Sequence, residues 1–223
     1  MQTFKFSELT AASLKALVKL HVDGGVSEKW EQMAVALTRQ ERQHLRLLTS
    51  YMRDFQLTRM NEATIWARAI YPLLMLAERP GIQAWSQVEM AARYRNFALE
   101  GIADGVLAKS LLGDIEAPYL IVTEAKKSLD AKDPQYQLLG QMLAGAWINY
   151  QNDCNPQQEI YGCYTIADNW TFFHALVEGI EADTPVMTVE SSREYAEKIE
   201  AEKIFQILKY IAGRFVQELA DAA

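Results

Sequence analysis

Two cysteines in 223 residues, Cys154 and Cys163, are too few for a disulfide framework and are not spaced as a zinc site, so both are expected to be reduced structural thiols. No run approaches the roughly 20 apolar residues that a membrane span needs, and the opening MQTFKFSELT lacks the apolar core of a signal peptide. A cytoplasmic protein without a membrane partner is expected. Positive charge is also in short supply. With 22 Lys and Arg against 29 Asp and Glu, the formal net charge is -7. That balance argues against a whole surface that clings to nucleic acid, because phosphate binding draws its affinity from Lys and Arg. A local basic patch stays open, with Arg93, Arg95, Lys109, Lys126, Lys127 and Lys132 as its candidates. There is no Gly-rich phosphate loop, no Gly-x-Ser-x-Gly elbow and no dinucleotide fingerprint, which leaves kinases, serine hydrolases and Rossmann enzymes unsupported. Glu41-Arg42-Gln43-His44 has the spacing of half a di-iron site, but no second pair exists.

What is present is a helical first third followed by a change of period. Leu9, Leu14, Leu17, Val18 and Leu20 recur near a 3.6 period, and Trp30, Met33, Val35 and Leu37 mark a second helix from about 27 to 37. Thr38-Arg39-Gln40-Glu41 matches a capping box for a third helix, and Asn61 caps a fourth, from Glu62 to about Glu78, which Pro72 should kink or break. From Gln83 the apolar residues alternate, Val88, Met90, Ala92 and Tyr94 on one side, the signature of a half-buried strand. Two more strands follow, over 101–107 and 119–126, and Asp133-Pro134 opens a helix that includes Gln137 and Gln141. A hairpin turns at Ala167-Asp168-Asn169 between 159–166 and 170–177, and a long helix runs from about Ser192 to Ala220. The expected class is α/β or α+β, with a seam in period near Gly81.

Chemistry concentrates in GIADGVLAKSLLGDIEAPYLIVTEAK, residues 101–126. Period-two alternation puts Glu124 and Lys126 on the same face as Val122, with Thr123 and Ala125 opposite. If the two strands are neighbours, Asp104 reaches the edge that carries Glu124, and two close carboxylates call for a cation or a proton between them.

An Asp on one strand, a following strand that ends Glu124-Ala125-Lys126, and then a helix with Gln137 and Gln141 together resemble the PD-(D/E)xK nuclease superfamily, the restriction-endonuclease-like fold, in a bacterial branch. The likeness covers about residues 61 to 215 and includes helix 62–78 and the strand pair at Ile160 to Thr165 and Trp170 to Phe172. Ala103 stands where the motif's name has proline, and the turn at Asp168-Asn169 lacks the glycine often found there. The resemblance implies a restriction-endonuclease-like mixed sheet flanked by helices over 61–223, preceded by an N-terminal helical appendage over 1–60.

It also implies roles. Asp104 and Glu124 would hold Mg²⁺ or Mn²⁺, with the Ala125 carbonyl as a further oxygen ligand and Glu62 as an accessory one. Lys126 would orient the attacking water and counter the charge that builds on the phosphate, and Gln141 would steady the lysine, the water or the substrate. The implied activity is metal-dependent hydrolysis of phosphodiester bonds in DNA, or in RNA, by a cytoplasmic enzyme, with a homodimer as one assembly.

Each residue has a plainer account. Asp104 could be an exposed residue beside a Gly105 bulge, Glu124 and Lys126 a solvated pair, Gln137 and Gln141 polar surface, and Glu62 a first-turn carboxylate favoured by the helix dipole. His21, His44 and His174 are scattered. The alternative function is a catalytically silent member of the same fold that serves as a binding module.

Overall fold

A computed structural model describes residues 1–53, 56–127 and 133–221. The fold is mixed α+β, a mixed sheet flanked by helices. In chain order the strands are β1 (Gln2–Lys5), β2 (Lys19–Val26), β3 (Ile82–Arg93), β4 (Phe97–Leu111), β5 (Asp114–Lys126), β6 (Gln157–Ile166), β7 (Asn169–Glu178) and β8 (Val186–Ala196). Among the described residues all eight belong to one sheet, ordered β1-β4-β5-β6-β7-β8-β2, with β3 also paired to β4. The meander β3-β4-β5 is antiparallel, β5 and β6 are parallel, and β6-β7-β8 is again antiparallel.

The parallel step needs a crossover, which is helix α6 (Pro134–Asp153) in the order of a βαβ unit. Asp133 accepts the Gln135 N–H at 3.0 Å and Pro134 occupies the first turn, as the sequence led one to expect. Residues 138–146 of this helix are buried all round. It lies between the sheet and an N-terminal layer that contributes Phe6, Leu9 and Leu14, and these three join Leu138, Leu139, Met142 and Val122 in one core. The opposite face of the sheet is covered by the remaining helices, α3 (Arg39–Arg53), α4 (Glu62–Ile65), α5 (Tyr71–Leu76) and α7 (Glu197–Asp221), around Trp30, Leu120, Phe172 and Leu208. Among the described residues no helix is long and apolar enough to cross a membrane.

The expected N-terminal helical appendage is not what residues 1–60 form. They supply β1, parallel to β4, and β2, parallel to β8, and place Trp30, Leu45 and Met52 in the main core. Helix α1 (Ala11–Leu17) is short, because the chain is already extended at Val18 and continues into β2. The apolar period at 9–20 therefore spans a helix and a strand. The helix expected over 27–37 shrinks to α2 (Lys29–Gln32). Beyond it, the carbonyls of Val35 and Ala36 accept from Gln206 and Lys209 of α7, at 3.1 and 2.9 Å. A backbone satisfied by another element does not have to be helical.

Two other boundaries moved. Pro72 follows a π-helical turn, Trp66–Ile70, and sits in the first turn of α5, where its missing N–H costs least. The long closing helix begins at Glu197, and residues 192–196 belong to β8. The capping box at Thr38 and Glu41 is formed in both directions, at 2.7 and 3.1 Å.

Candidate active site

The candidate residues gather at the point where β4 and β5 part. Their pairing closes at Gly105↔Thr123, so Asp104 and Glu124 are the next residues on each strand, free of the ladder between the two. Asp104 substitutes for the lost ladder with its side chain, and its Oδ2 accepts the Ala125 N–H at 2.8 Å. In a strand a residue's N–H and C=O point to the same side, so the Ala125 carbonyl is directed to this opening as well.

Glu124 is only 1% exposed. Its Oε1 meets Lys126 Nζ at 2.5 Å, and its Oε2 accepts from Gln141 Nε2 at 2.7 Å. Gln141 is fully buried on α6 and its amide also reaches the Ile102 carbonyl at 3.3 Å, on the stretch of β4 between its pairings with β1 and β5. The helix thus ties the two diverging strands together through one side chain. Gln141 Oε1 is buried without a hydrogen-bond partner.

The electrostatics follow from this crowding. Burial, and next the neighbouring Asp104 charge, push Glu124 up to about 7 against the pull of Lys126 and Gln141. Burial also raises Asp104, opposed by the Ala125 N–H, Lys126 and Gln87. For Lys126 burial works downward, but Glu124, Asp104 and Glu62 more than offset it and the ammonium is held above its ordinary range. The site is therefore two carboxylates and one firmly charged cation in a small, mostly buried space.

Of the residues singled out in the sequence, Asp104, Glu124, Ala125, Lys126 and Gln141 come together. Glu62 is exposed at the start of α4, where its Oε1 accepts the Lys127 N–H at 3.4 Å, and its charge is felt by Asp104 and Lys126. It stands at the rim. Gln137 lines a neighbouring groove of about 710 Å³ with Lys5, Glu89, Glu100 and Ile102. Of the basic candidates, Lys109 pairs with Glu116 at 3.1 Å and Arg95 with Asp183 at 3.2 Å, and Lys132 lies outside the described residues.

Among the described residues no group of three or more His, Cys, Asp and Glu side chains could hold a metal ion by itself. Two carboxylates and a carbonyl directed to one opening are nevertheless a donor set that suits a hard cation, since Mg²⁺ keeps several waters and takes only one or two carboxylates. The fit is that of a site completed by water.

Two donors to Asp104, and a third residue that holds one of them, went unnoticed in the sequence. Gln87 Nε2 donates to Asp104 Oδ1 at 3.1 Å, Ser86 Oγ donates to the Asp104 carbonyl at 3.3 Å, and Trp66 Nε1 donates to Ser86 Oγ at 2.9 Å. The signal was there once the β3-β4 turn is located, because antiparallel register sets residue 87 opposite residue 104. A second polar cluster was also missed: His174 lies between Glu159 and Glu190, at 2.8 and 3.0 Å, with Arg214 on Glu159 at 2.9 Å and Lys29 on Glu190 at 3.2 Å. Its members are spread over five elements, and no local spacing announces it.

No protein-family model matches the chain, and no curated protein matches it at a significant level.

Proposed function

We propose that the chain is a metal-dependent phosphodiesterase of the restriction-endonuclease-like type, acting on nucleic acid, with DNA as the first substrate class and RNA as the second. The observation that carries this is the meeting of Asp104, Glu124 and Lys126 at the parting of β4 and β5, with Gln141 fastened to Glu124 from α6. Surface ion pairs seldom have a member that is 1% exposed and also held by a buried helix residue.

Asp104, Glu124 and the Ala125 carbonyl would hold Mg²⁺ or Mn²⁺, with Glu62 reaching the outer waters. When bound, such an ion supplies Lewis-acid polarisation of the phosphoryl oxygen and a more acidic water. The chain's own residues do the rest. Lys126, whose ammonium is kept charged by its acidic neighbours, is a donor and a positive charge and not a base, so it orients the attacking water and counters the negative charge that grows on the phosphate. Gln141 fixes the plane of the Glu124 carboxylate. The Ala125 N–H fixes one oxygen of Asp104.

The test is cleavage of single- and double-stranded DNA and of RNA with Mg²⁺ or Mn²⁺, with Glu124→Ala and Lys126→Ala alongside. Cleavage that both variants lose supports the enzyme and names its substrate. No cleavage of any substrate, together with no Mn²⁺ binding, would leave a silent member of the fold, a binding module.

A further inference from the structure

We infer that Gln87 is a positioning residue for Asp104, held in an unfavourable backbone conformation so that its amide fixes the carboxylate from the strand opposite. The inference rests on the phosphodiesterase reading above. Gln87 has φ of +55° in the middle of β3, a left-handed conformation that Gly or Asn would adopt more readily. The register runs Ser86↔Gly105 and Val88↔Ala103 on either side, so only the pair Gln87 and Asp104 drops out of an otherwise regular antiparallel ladder. The interruption has one visible product. It turns the Gln87 amide onto Asp104 Oδ1 at 3.1 Å, and because a carboxylate only accepts, the group facing it is the NH₂ end.

Two further irregularities meet at the same residue. Gly105 leaves room for the ring of Trp66, since a Cβ there would run into the indole and Leu74, and Trp66 opens the π-helical turn. Its N–H then holds Ser86, which holds the Asp104 carbonyl. Strained conformations and π-turns persist where the surroundings over-determine them, and they gather at sites where a side chain must be aimed. Asp104 is thereby gripped on Oδ1 from β3 and on Oδ2 from β5, one donor on each oxygen, while each oxygen keeps a second lone pair for a cation.

Gln87→Gly removes the amide and relaxes the backbone, and Gln87→Met keeps a side chain of similar length without a donor. Mn²⁺ binding by calorimetry, the melting temperature, and cleavage across a range of Mn²⁺ concentrations would be compared with wild type. Gln87→Gly is expected to melt at or above the wild-type temperature, yet both variants should bind Mn²⁺ roughly 10- to 100-fold more weakly, as for other groups that orient a ligand, and recover cleavage as Mn²⁺ is raised. A purely structural residue would move the melt and leave the metal affinity alone. Wild-type Mn²⁺ affinity in both variants overturns the role of Gln87 and leaves the enzyme standing. A wild type that neither binds Mn²⁺ nor cuts nucleic acid overturns the enzyme, and the role of Gln87 with it.

Discussion

Gln141 stands on a helix that is buried on every side at its centre, yet its amide spans from Glu124 on β5 to Ile102 on β4, at 2.7 and 3.3 Å. A polar residue in that position is the clasp over the place where two strands separate. Its removal exposes both ends of the gap at once.

Gln141→Leu, which fills the same volume without donors, should therefore lower stability by about 1–3 kcal/mol, the usual range for stranding a buried polar partner. Denaturant unfolding measures it. Cleavage should fall more than stability alone explains, roughly 10- to 100-fold, because Glu124 loses the group that fixes its plane. An unchanged rate in a folded variant would remove Gln141 from the site.

Glu124 makes the metal-free protein sensitive to pH in a stated direction. Burial and the nearby Asp104 raise its folded pKa to about 7 from an ordinary 4.5, so the folded protein binds the proton more tightly than the unfolded chain. The contribution of Glu124 to stability is then full below about pH 4.5 and is lost as pH rises towards 7. Urea midpoints at pH 5, 6, 7 and 8 would show the slope, and Glu124→Gln should flatten the limb that ends near pH 7. A slope that survives the substitution unchanged would contradict this.

Glu197, fully buried at the first residue of α7, should add a limb that extends further. Its Oε2 accepts Trp170 Nε1 at 2.8 Å and its Oε1 is buried without a hydrogen-bond partner, and burial raises it well above the ordinary carboxyl range. The same sign holds: stability is lost as pH rises. Glu197→Gln keeps the acceptor for Trp170 and removes the titration, so it should match wild type at pH 5 and melt later at pH 8. Tryptophan fluorescence reports both melts. A variant less stable than wild type at pH 8 would show that the carboxyl has a role beyond neutral packing.

The residues that carry the proposed chemistry were legible because they sit on elements whose signals are local. Alternation marks β3, the apolar run from Tyr119 marks β5, Asp133-Pro134 marks α6, and Thr38 with Glu41 marks α3. What escaped was fixed by distant partners. β1 and β2 are strands because β4 and β8 offer edges to pair with, and the stretch after α2 is extended because α7 occupies its carbonyls. Gln87 escaped for a different reason, since a single residue's backbone conformation has no sequence period. The Glu159, His174 and Glu190 cluster required three strands to be in register first.

The parallel seating of β2 on β8 also governs how the chain can come together. Residues 19–26 need 186–191 as their partner, so one edge of the sheet cannot be completed until nearly all of the chain is available. A nascent chain would carry that strand unpaired while the β3-β4-β5 meander closes on its own local contacts. Long-range closure of this kind is slow, and an open strand edge invites pairing with another molecule. Yield on refolding should accordingly fall with protein concentration, even though β2 is paired to β8 in the finished molecule.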